Sequence, residues 1–598
     1  MKQHIHTAQL AACCLAASCC AQLTFAQTNQ ATDTSMVRKI EIVRDYNPTI
    51  KEASKINTMP ELKDETTKKM DVNYSIWATP VNPTSDSVPA LDYALAEKTG
   101  TTPQREGYLR LGGGNYTSFL GEAYVPVWTT KVNKFSVYGK HNSSFGKVRL
   151  TSKLYDGLAD DFRVKATTNE NFLKADYAHN FKRGRELSAY ADFGYNGFNY
   201  YGYDMKEQSN RDVKYAYDRD QAFTNFDAGL RFRSKHFIDK WSYDGQTNYQ
   251  LFHTQNGLNE HTILTKLGGK YIVDNGHLGV DLEMSNIFLG LPTDSFPFDF
   301  NKSQNTNNET VIIVKPAYVA KGKNSMLNIG VKGAFCFGQG RPASVMPDIW
   351  GNIAINPQYW YLYAGVTGDM QVNSYRNMAQ ENRYIALDNR AEDTYVPIDV
   401  YFGSKVNVMK KVLLDLNVGY KVINNPYFFV NKQLGNELTV TAENDSINRQ
   451  FYGSFYDLVY GSKEGLFTIG WGITSQFWHE KAEILVKGKY NKWALNKNET
   501  AWMKPEVELL AQLSVMPVKD LRMYVAYNLI GGRKALVNDA KISMNNVSDL
   551  SIGADYKVLS WLNIFARANN ILSNEYDRYY YGYASQHFNI LGGLSLIF

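Results

Sequence analysis

The side chains with intrinsic reactivity are few and poorly grouped. Of five cysteines, four stand at positions 13, 14, 19 and 20, leaving Cys336 alone in the rest of the chain. A single cysteine cannot build a disulfide framework or a CxxC metal site within one chain. The ten histidines show no HxxxH or similar ligand spacing, and there is no GxSxG motif or cysteine–histidine pair. Gly112-Gly113-Gly114 would need a following helix to cradle a phosphate, but it reads as a tight hairpin turn between two strands. No enzymatic activity and no cofactor are therefore expected. What remains is charge placed at alternate residues. Asp399, Asp415, Lys487, Lys489, Glu506, Glu508, Arg522, Asp555 and Arg567 fall on one face of apolar-alternating segments. Such charges could line a solute path, and the plainer reading is a set of cross-strand charge ladders in a wet interior.

Alternation of this kind requires strands. Leu550, Ile552, Ala554, Tyr556 and Val558 share one face while Ser551, Gly553, Asp555 and Lys557 share the other. A slip of one residue would move Asp555 and Lys557 to the apolar side, so the register is well specified. Leu562–Asn569, Leu521–Leu529 and Glu506–Val515 repeat the pattern. The chain ends on Phe588-Asn-Ile-Leu-Gly-Gly-Leu-Ser-Leu-Ile-Phe598, with Phe588, Ile590, Leu594, Leu596 and Phe598 on one face. A soluble domain usually frays at its terminus, whereas this one ends on a strand.

The opening residues 1–26 have a lysine near the start, an uncharged Leu/Ala/Cys run and Thr24-Phe25-Ala26, the pattern of a secretory signal peptide. Leu10-Ala11-Ala12-Cys13 resembles a lipoprotein box, but it lies too near the start for an apolar region to precede it. The mature chain is expected to begin at Gln27. No later stretch reaches the roughly 18 apolar residues of a helical span. Aromatics make up 14% of the chain, with 41 tyrosines, which suits a large all-β protein. A net charge of +5 from mixed signs points to no nucleic-acid partner.

From about 105 to the end, segments of roughly 10 residues alternate with connections that are short, then long, the signature of an outer-membrane barrel. Strands are expected to begin near 105, 117, 132, 170, 186, 221, 241, 262, 277, 309, 324, 347, 358, 396, 411, 465, 481, 503, 520, 546, 561 and 586. The fold class is thus a transmembrane antiparallel up-and-down β-barrel of about 22 strands, with short periplasmic turns and long extracellular loops. Segments 142–169, 197–220, 289–308, 372–395, 424–464 and 573–585 fall outside the cell. The turns around 182–185, 274–276, 408–411, 517–520 and 559–561 fall in the periplasm. Trp478, Trp493, Trp502 and Trp561, near strand ends, suit interfacial aromatic girdles. The loop tyrosines Tyr200, Tyr201, Tyr203, Tyr579, Tyr580, Tyr581 and Tyr583 could stack on a planar ligand at the mouth, or pack the loops together. The last strand is expected to close on the first near Gly107–Gly114, leaving no open edge. Phe598, an aromatic C-terminal residue, resembles the signal read by the barrel assembly machinery.

The C-terminal run resembles the barrel of TonB-dependent receptors, the outer-membrane importers. It does so through Arg567, Asn569, Asn570, Leu572, Asn574 and Tyr576, which read much like that family's arginine, paired asparagines, leucine, asparagine and tyrosine, followed by a loop and an aromatic-ended strand. The Tyr/Asn/Gly-rich loops look like those of Bacteroidetes chains. The resemblance implies transport of a ligand across the outer membrane; the alternative is a non-transporting scaffold barrel in an envelope protein complex. The chain departs from the family between Gln27 and Gln104, a stretch too short and too polar for the family's folded plug, which reads as an extended periplasmic or luminal segment. Within it Lys39, Ile40, Glu41, Ile42 and Val43 could pair as an edge strand with an energy-transducing partner, as a TonB box does. Expected partners are outer-membrane lipids, the assembly machinery, and TonB or an envelope lipoprotein.

Overall fold

The structure, a computed structural model, describes residues 107–149, 163–201, 220–291, 308–338, 340–386, 389–408, 411–433, 441–442, 445–446, 452–478, 481–496, 500–537, 540–577 and 581–598. Twenty-two antiparallel strands form one closed sheet, and each begins within about four residues of its expected start. Closure is made by the first and last strands. Tyr108–Gly114 pairs with Asn589–Ile597 from Tyr108↔Ile597 to Gly114↔Leu591. Gly107 and Phe598 extend the ladder by two backbone hydrogen bonds, at 2.7 and 2.9 Å. A Cβ on Gly107 would stand 2.4 Å from the Phe598 ring, so the terminal aromatic lies on a glycine. With every strand paired on both sides, the wall has no open edge toward hydrocarbon.

The alternation sorts the two faces as the sequence requires. Phe588, Ile590, Leu594, Leu596 and Phe598 are exposed on the outer face, as are Leu278, Val280, Ile329, Leu416 and Ile564. Ser595, Asp555, Arg567, Glu508 and Asp415 are buried on the inner one. A continuous apolar exterior around a closed barrel is the surface of an outer-membrane protein. The exposed tryptophans mark its periplasmic rim: Trp128, Trp241, Trp360, Trp478 and Trp561 all stand beside short turns on the side of the chain ends. At the other rim the outer face turns polar. There His141 bonds Asn171 at 2.8 Å and His253 bonds Asn259 at 2.8 Å.

Four details differ from the sequence reading. Gly112–Gly114 lie in the first strand, and the turn is Asn115–Thr117, with Tyr116 and Thr117 at positive φ. The glycines serve the closing seam, where a Cβ on Gly114 would meet the Ile590 carbonyl oxygen at 2.1 Å. The extracellular connections at 115–117, 255–258 and 338–342 are tight turns, because both flanking strands run straight into them. Segments 495–506 and 532–546 are further extracellular connections. Trp493 and Trp502 do not face lipid: they pack with Phe428 and Val430 beneath an extracellular hairpin.

Candidate functional site

The inner wall is an array of cross-strand ion pairs. Lys421 meets Asp399 at 2.9 Å. Lys405 meets Asp415 at 3.3 Å, and the same carboxylate accepts the Tyr363 hydroxyl at 2.8 Å. Lys489 stands opposite Glu508, which accepts from Asn491 Nδ2 at 3.2 Å. Arg522 stands opposite Asp555. Glu506 lies apart from the others, just ahead of the strand Val507–Val518 at the extracellular rim, and is tied to Lys534 at 2.7 Å. Lys332, which the sequence reading passed over, is buried between Asp348 and Asp369 and donates to the Gly368 carbonyl at 2.7 Å. Its signal was present: Leu327, Ile329 and Val331 point outward one residue out of phase with it.

Aromatic rings lie on glycines across the strand pairs. A Cβ on Gly488 would meet the Trp471 ring at 2.1 Å, one on Gly553 the Tyr524 ring at 2.2 Å, and one on Gly403 the Tyr363 ring at 2.2 Å. Each such pair covers backbone that glycine leaves bare.

Above the wall, the extracellular loops fold inward into a cap. The connection 372–393 carries the helix Tyr375–Glu381, capped by Ser374, whose Oγ accepts the Asn377 N–H at 3.1 Å. Both peptide N–H groups at the start of this helix reach Glu260, Tyr375 N at 2.7 Å and Arg376 N at 3.4 Å. The Arg376 guanidinium forks onto both oxygens of Asp227, which is 0% exposed. Arg383 holds Glu170 at 3.1 Å. Glu170, Asp227 and Glu260 belong to strands well before the loop in sequence, so the loop crosses to a distant part of the wall. On its other flank Glu381 accepts from Lys504 at 2.7 Å and from the Tyr427 hydroxyl. The loop is thus clamped at both sides of the mouth.

The larger of two apolar clusters among the described residues of the cap gathers its tyrosines. Tyr384 lies flat on Tyr583, centroids 3.5 Å apart, and Tyr200, Tyr201, Phe455, Tyr456 and Tyr581 pack around them. The hairpin Tyr427–Gln433 with Tyr452–Tyr460 leans into it. Tyr456 exchanges backbone hydrogen bonds with Tyr384 and Ala386 at 3.2 and 2.9 Å. Its hydroxyl donates to the Tyr581 carbonyl. The loop tyrosines Tyr200, Tyr201, Tyr581 and Tyr583 are therefore buried among each other and offer no ring to solvent at the mouth. Tyr203, Tyr579 and Tyr580 lie outside the described residues, as do Lys39–Val43 and the whole of 27–104.

Burial sets the protonation of groups in the cap. At the root of the crossing loop, Asp393 is enclosed and accepts only the Asn373 N–H, at 3.4 Å, so desolvation holds its carboxyl well above the usual range. Tyr581 is pushed up to about 12, first by burial and then by nearby Asp577. Tyr427 and Tyr460 are also raised well above the ordinary phenol value, first by burial and then by the carboxylates of Glu381 and Glu392 beside them. These tyrosine hydroxyls stay protonated at physiological pH.

No protein-family model matches the sequence, and no curated protein does. Solved structures match its fold. The siderophore receptor PirA from Acinetobacter baumannii superposes with a TM-score of 0.61 at 9% identity, over 82% of this chain and 80% of that one. A mutant of the ferric enterobactin receptor PfeA from Pseudomonas aeruginosa gives 0.59 at 12% identity, over 82% and 80%. The copper transporter OprC gives 0.58 at 12%, over 83% and 82%. The chain is thus similar in fold to the 22-strand barrels of TonB-dependent outer-membrane receptors.

Proposed function

We propose that this chain is a gated outer-membrane transport barrel, in which the crossing loop 372–393 controls entry to a charged lumen. The observation that carries the reading is the double clamp on that loop: Arg376 and Arg383 to one part of the wall, Glu381 to Tyr427 and Lys504 on the other flank. The Arg376–Asp227 pair is buried and costs desolvation, so its effect is to fix the loop's position, and the part-buried contacts of Arg383 and Glu381 hold the rest of the loop in register with it. The wall beneath it supplies cross-strand charges of both signs, suited to guiding a polar solute.

The reading extends to segments outside the described residues. Residues 1–26 act as the signal peptide and 27–104 as an extended segment in place of a folded plug, in a chain of the Bacteroidetes type. Lys39–Val43 would pair with TonB by strand addition. Planar-bilayer recordings test the gate. The full chain should be nearly closed, the Arg376→Ala chain should open intermittently, and a chain lacking 27–104 as well should conduct steadily. Silence in all three forms, with envelope proteins co-purifying, would favour the scaffold role instead.

A further inference from the structure

The inner wall beside the closing seam holds more cation than anion. Arg110, in the first strand, and Arg567, in the strand Leu562–Asn569, both stand over the ring of Phe565, their guanidinium carbons 4.9 and 5.2 Å from its centroid. Arg110 reaches Asp555 at 3.4 Å, and Arg522 faces that same carboxylate across the strand pair. The other carboxylate at hand, Glu122, is taken by the hydroxyls of Tyr108 and Tyr138, each at 2.9 Å, with Lys140 opposite it. Asp555 lies among all three arginines, and Glu483 also acts on Arg522. Arg567 is 3% exposed, and none of its three guanidinium nitrogens has a hydrogen-bond partner.

A guanidinium keeps its charge at any physiological pH. A ring face attracts it but does not satisfy its fork of N–H groups. Buried and unpaired, it bears a heavy desolvation penalty unless something supplies oxygens. The floor of the site is the Phe565 ring, laid on glycine backbone. Phe565 faces Gly593 of the last strand, and Gly593 in turn faces Gly112. A Cβ on Gly112 would meet the Phe565 ring at 2.9 Å, and one on Gly593 the Leu111 carbonyl oxygen at 2.0 Å. Between the levels of Arg110 and Arg567, therefore, the last strand presents only glycine toward the lumen.

We propose that Arg110 and Arg567 form an oxyanion site in the luminal wall, which takes a carboxylate or phosphoryl group in their guanidinium forks over Phe565. Forked, charge-assisted hydrogen bonds to two oxygens are what this donor geometry provides. The proposal deepens the transport reading by naming an anionic class of solute, and it rests on that reading only for the solute's passage, since binding itself needs no gate.

The test is thermal unfolding of the full chain in detergent, titrated separately with inorganic phosphate and with citrate at constant ionic strength. One or both should raise the melting midpoint saturably. Arg567→Gln should shift half-saturation by about tenfold or more, the worth of a charge-assisted fork. Lys266→Gln, elsewhere in the wall and paired with Glu283, should titrate as the parent does. A response to phosphate alone narrows the ligand to a phosphoryl group, and to citrate alone to a carboxylate. No rise with either anion overturns the proposal, as does an unchanged titration in Arg567→Gln. Heat-modifiable gel mobility shows whether that variant folds; if it does not, Arg110→Gln and Arg567→Lys carry the same comparison, the second keeping charge but losing the fork. Failure of the transport reading would appear as silent bilayers and leave these titrations untouched.

Discussion

In the wall, Glu508 points inward and Leu513 outward from one strand, and the neighbouring strand pairs the backbone of both. In the cap, Arg376 grips Asp227 from 149 residues away, and Tyr384 lies on Tyr583 with no sheet beneath either. The wall is held by repeated backbone pairing in which each side chain adds little; the cap is held by a few buried side-chain contacts. The two should therefore fail separately, with loss of a cap contact opening the mouth while the barrel stays closed.

The sharpest way to break that comparison is Arg376→Ala. It leaves Asp227 charged and enclosed, a loss of about 3–5 kcal/mol for a buried pair cut on one side. Loop 372–393 should become protease-sensitive and exchange amide hydrogen quickly, with heat-modifiable mobility unchanged. If the barrel melts in step with the loop, cap and wall are one cooperative unit and the distinction fails. Tyr583→Ala comes next, at roughly 3 kcal/mol for a buried ring, with the same loop exposed. In the wall, Gly488→Ala forces a methyl into the Trp471 ring. Overpacking of this kind costs about 1–3 kcal/mol. It should lower the urea midpoint for barrel unfolding and leave loop exchange unaltered.

Asp393 gives the cap a pH dependence of definite sign. Burial raises its carboxyl well above the usual range, so the folded cap binds this proton more tightly than the opened loop does. The resulting stability is fully present below the ordinary carboxylate range and is lost as pH rises through the raised folded value. Protease nicking within 372–393 should increase with pH in the native chain. In Asp393→Asn it should not, since the side chain can still accept from Asn373 but has no proton to lose. Equal slopes in both would show that another group controls the root of the loop.

The wall was legible because a strand shows its two faces in adjacent letters. Asp555 between Ala554 and Tyr556, or Ser595 between Leu594 and Leu596, reports its side without reference to anything distant. Phe598 was legible for the same reason. The cap was not, because its determinants are pairs: Arg376 means nothing until Asp227 is beside it. Tyr583 reads alike whether it faces solvent or Tyr384. Trp502 was misplaced on that account, since a tryptophan near a strand end suits either a lipid interface or a loop core, and only its contact with Phe428 decides. Arg567 was legible as inward-facing, but its want of a partner depends on Arg110 and Asp555, from strands at opposite ends of the chain.

The smallest effect should come from the rim, where cap and wall meet. Glu506 was expected in the lumen, yet it sits ahead of its strand and bonds Lys534 from the small hairpin Lys534–Val537 with Ala540–Ser543. Both side chains stay partly open to solvent, 32% for Lys534 and 47% for Glu506. An ion pair so placed is worth about 0–1 kcal/mol and fades with salt. Lys534→Ala should therefore change neither loop exchange nor the barrel midpoint beyond that range, and the change should vanish at high ionic strength. The contrast with Arg376→Ala is one of burial, since both variants delete one cation from one carboxylate. Should Lys534→Ala expose the cap as strongly, the ionic contacts would be acting through charge alone, and the separation of an enclosed latch from an open rim would have to be abandoned.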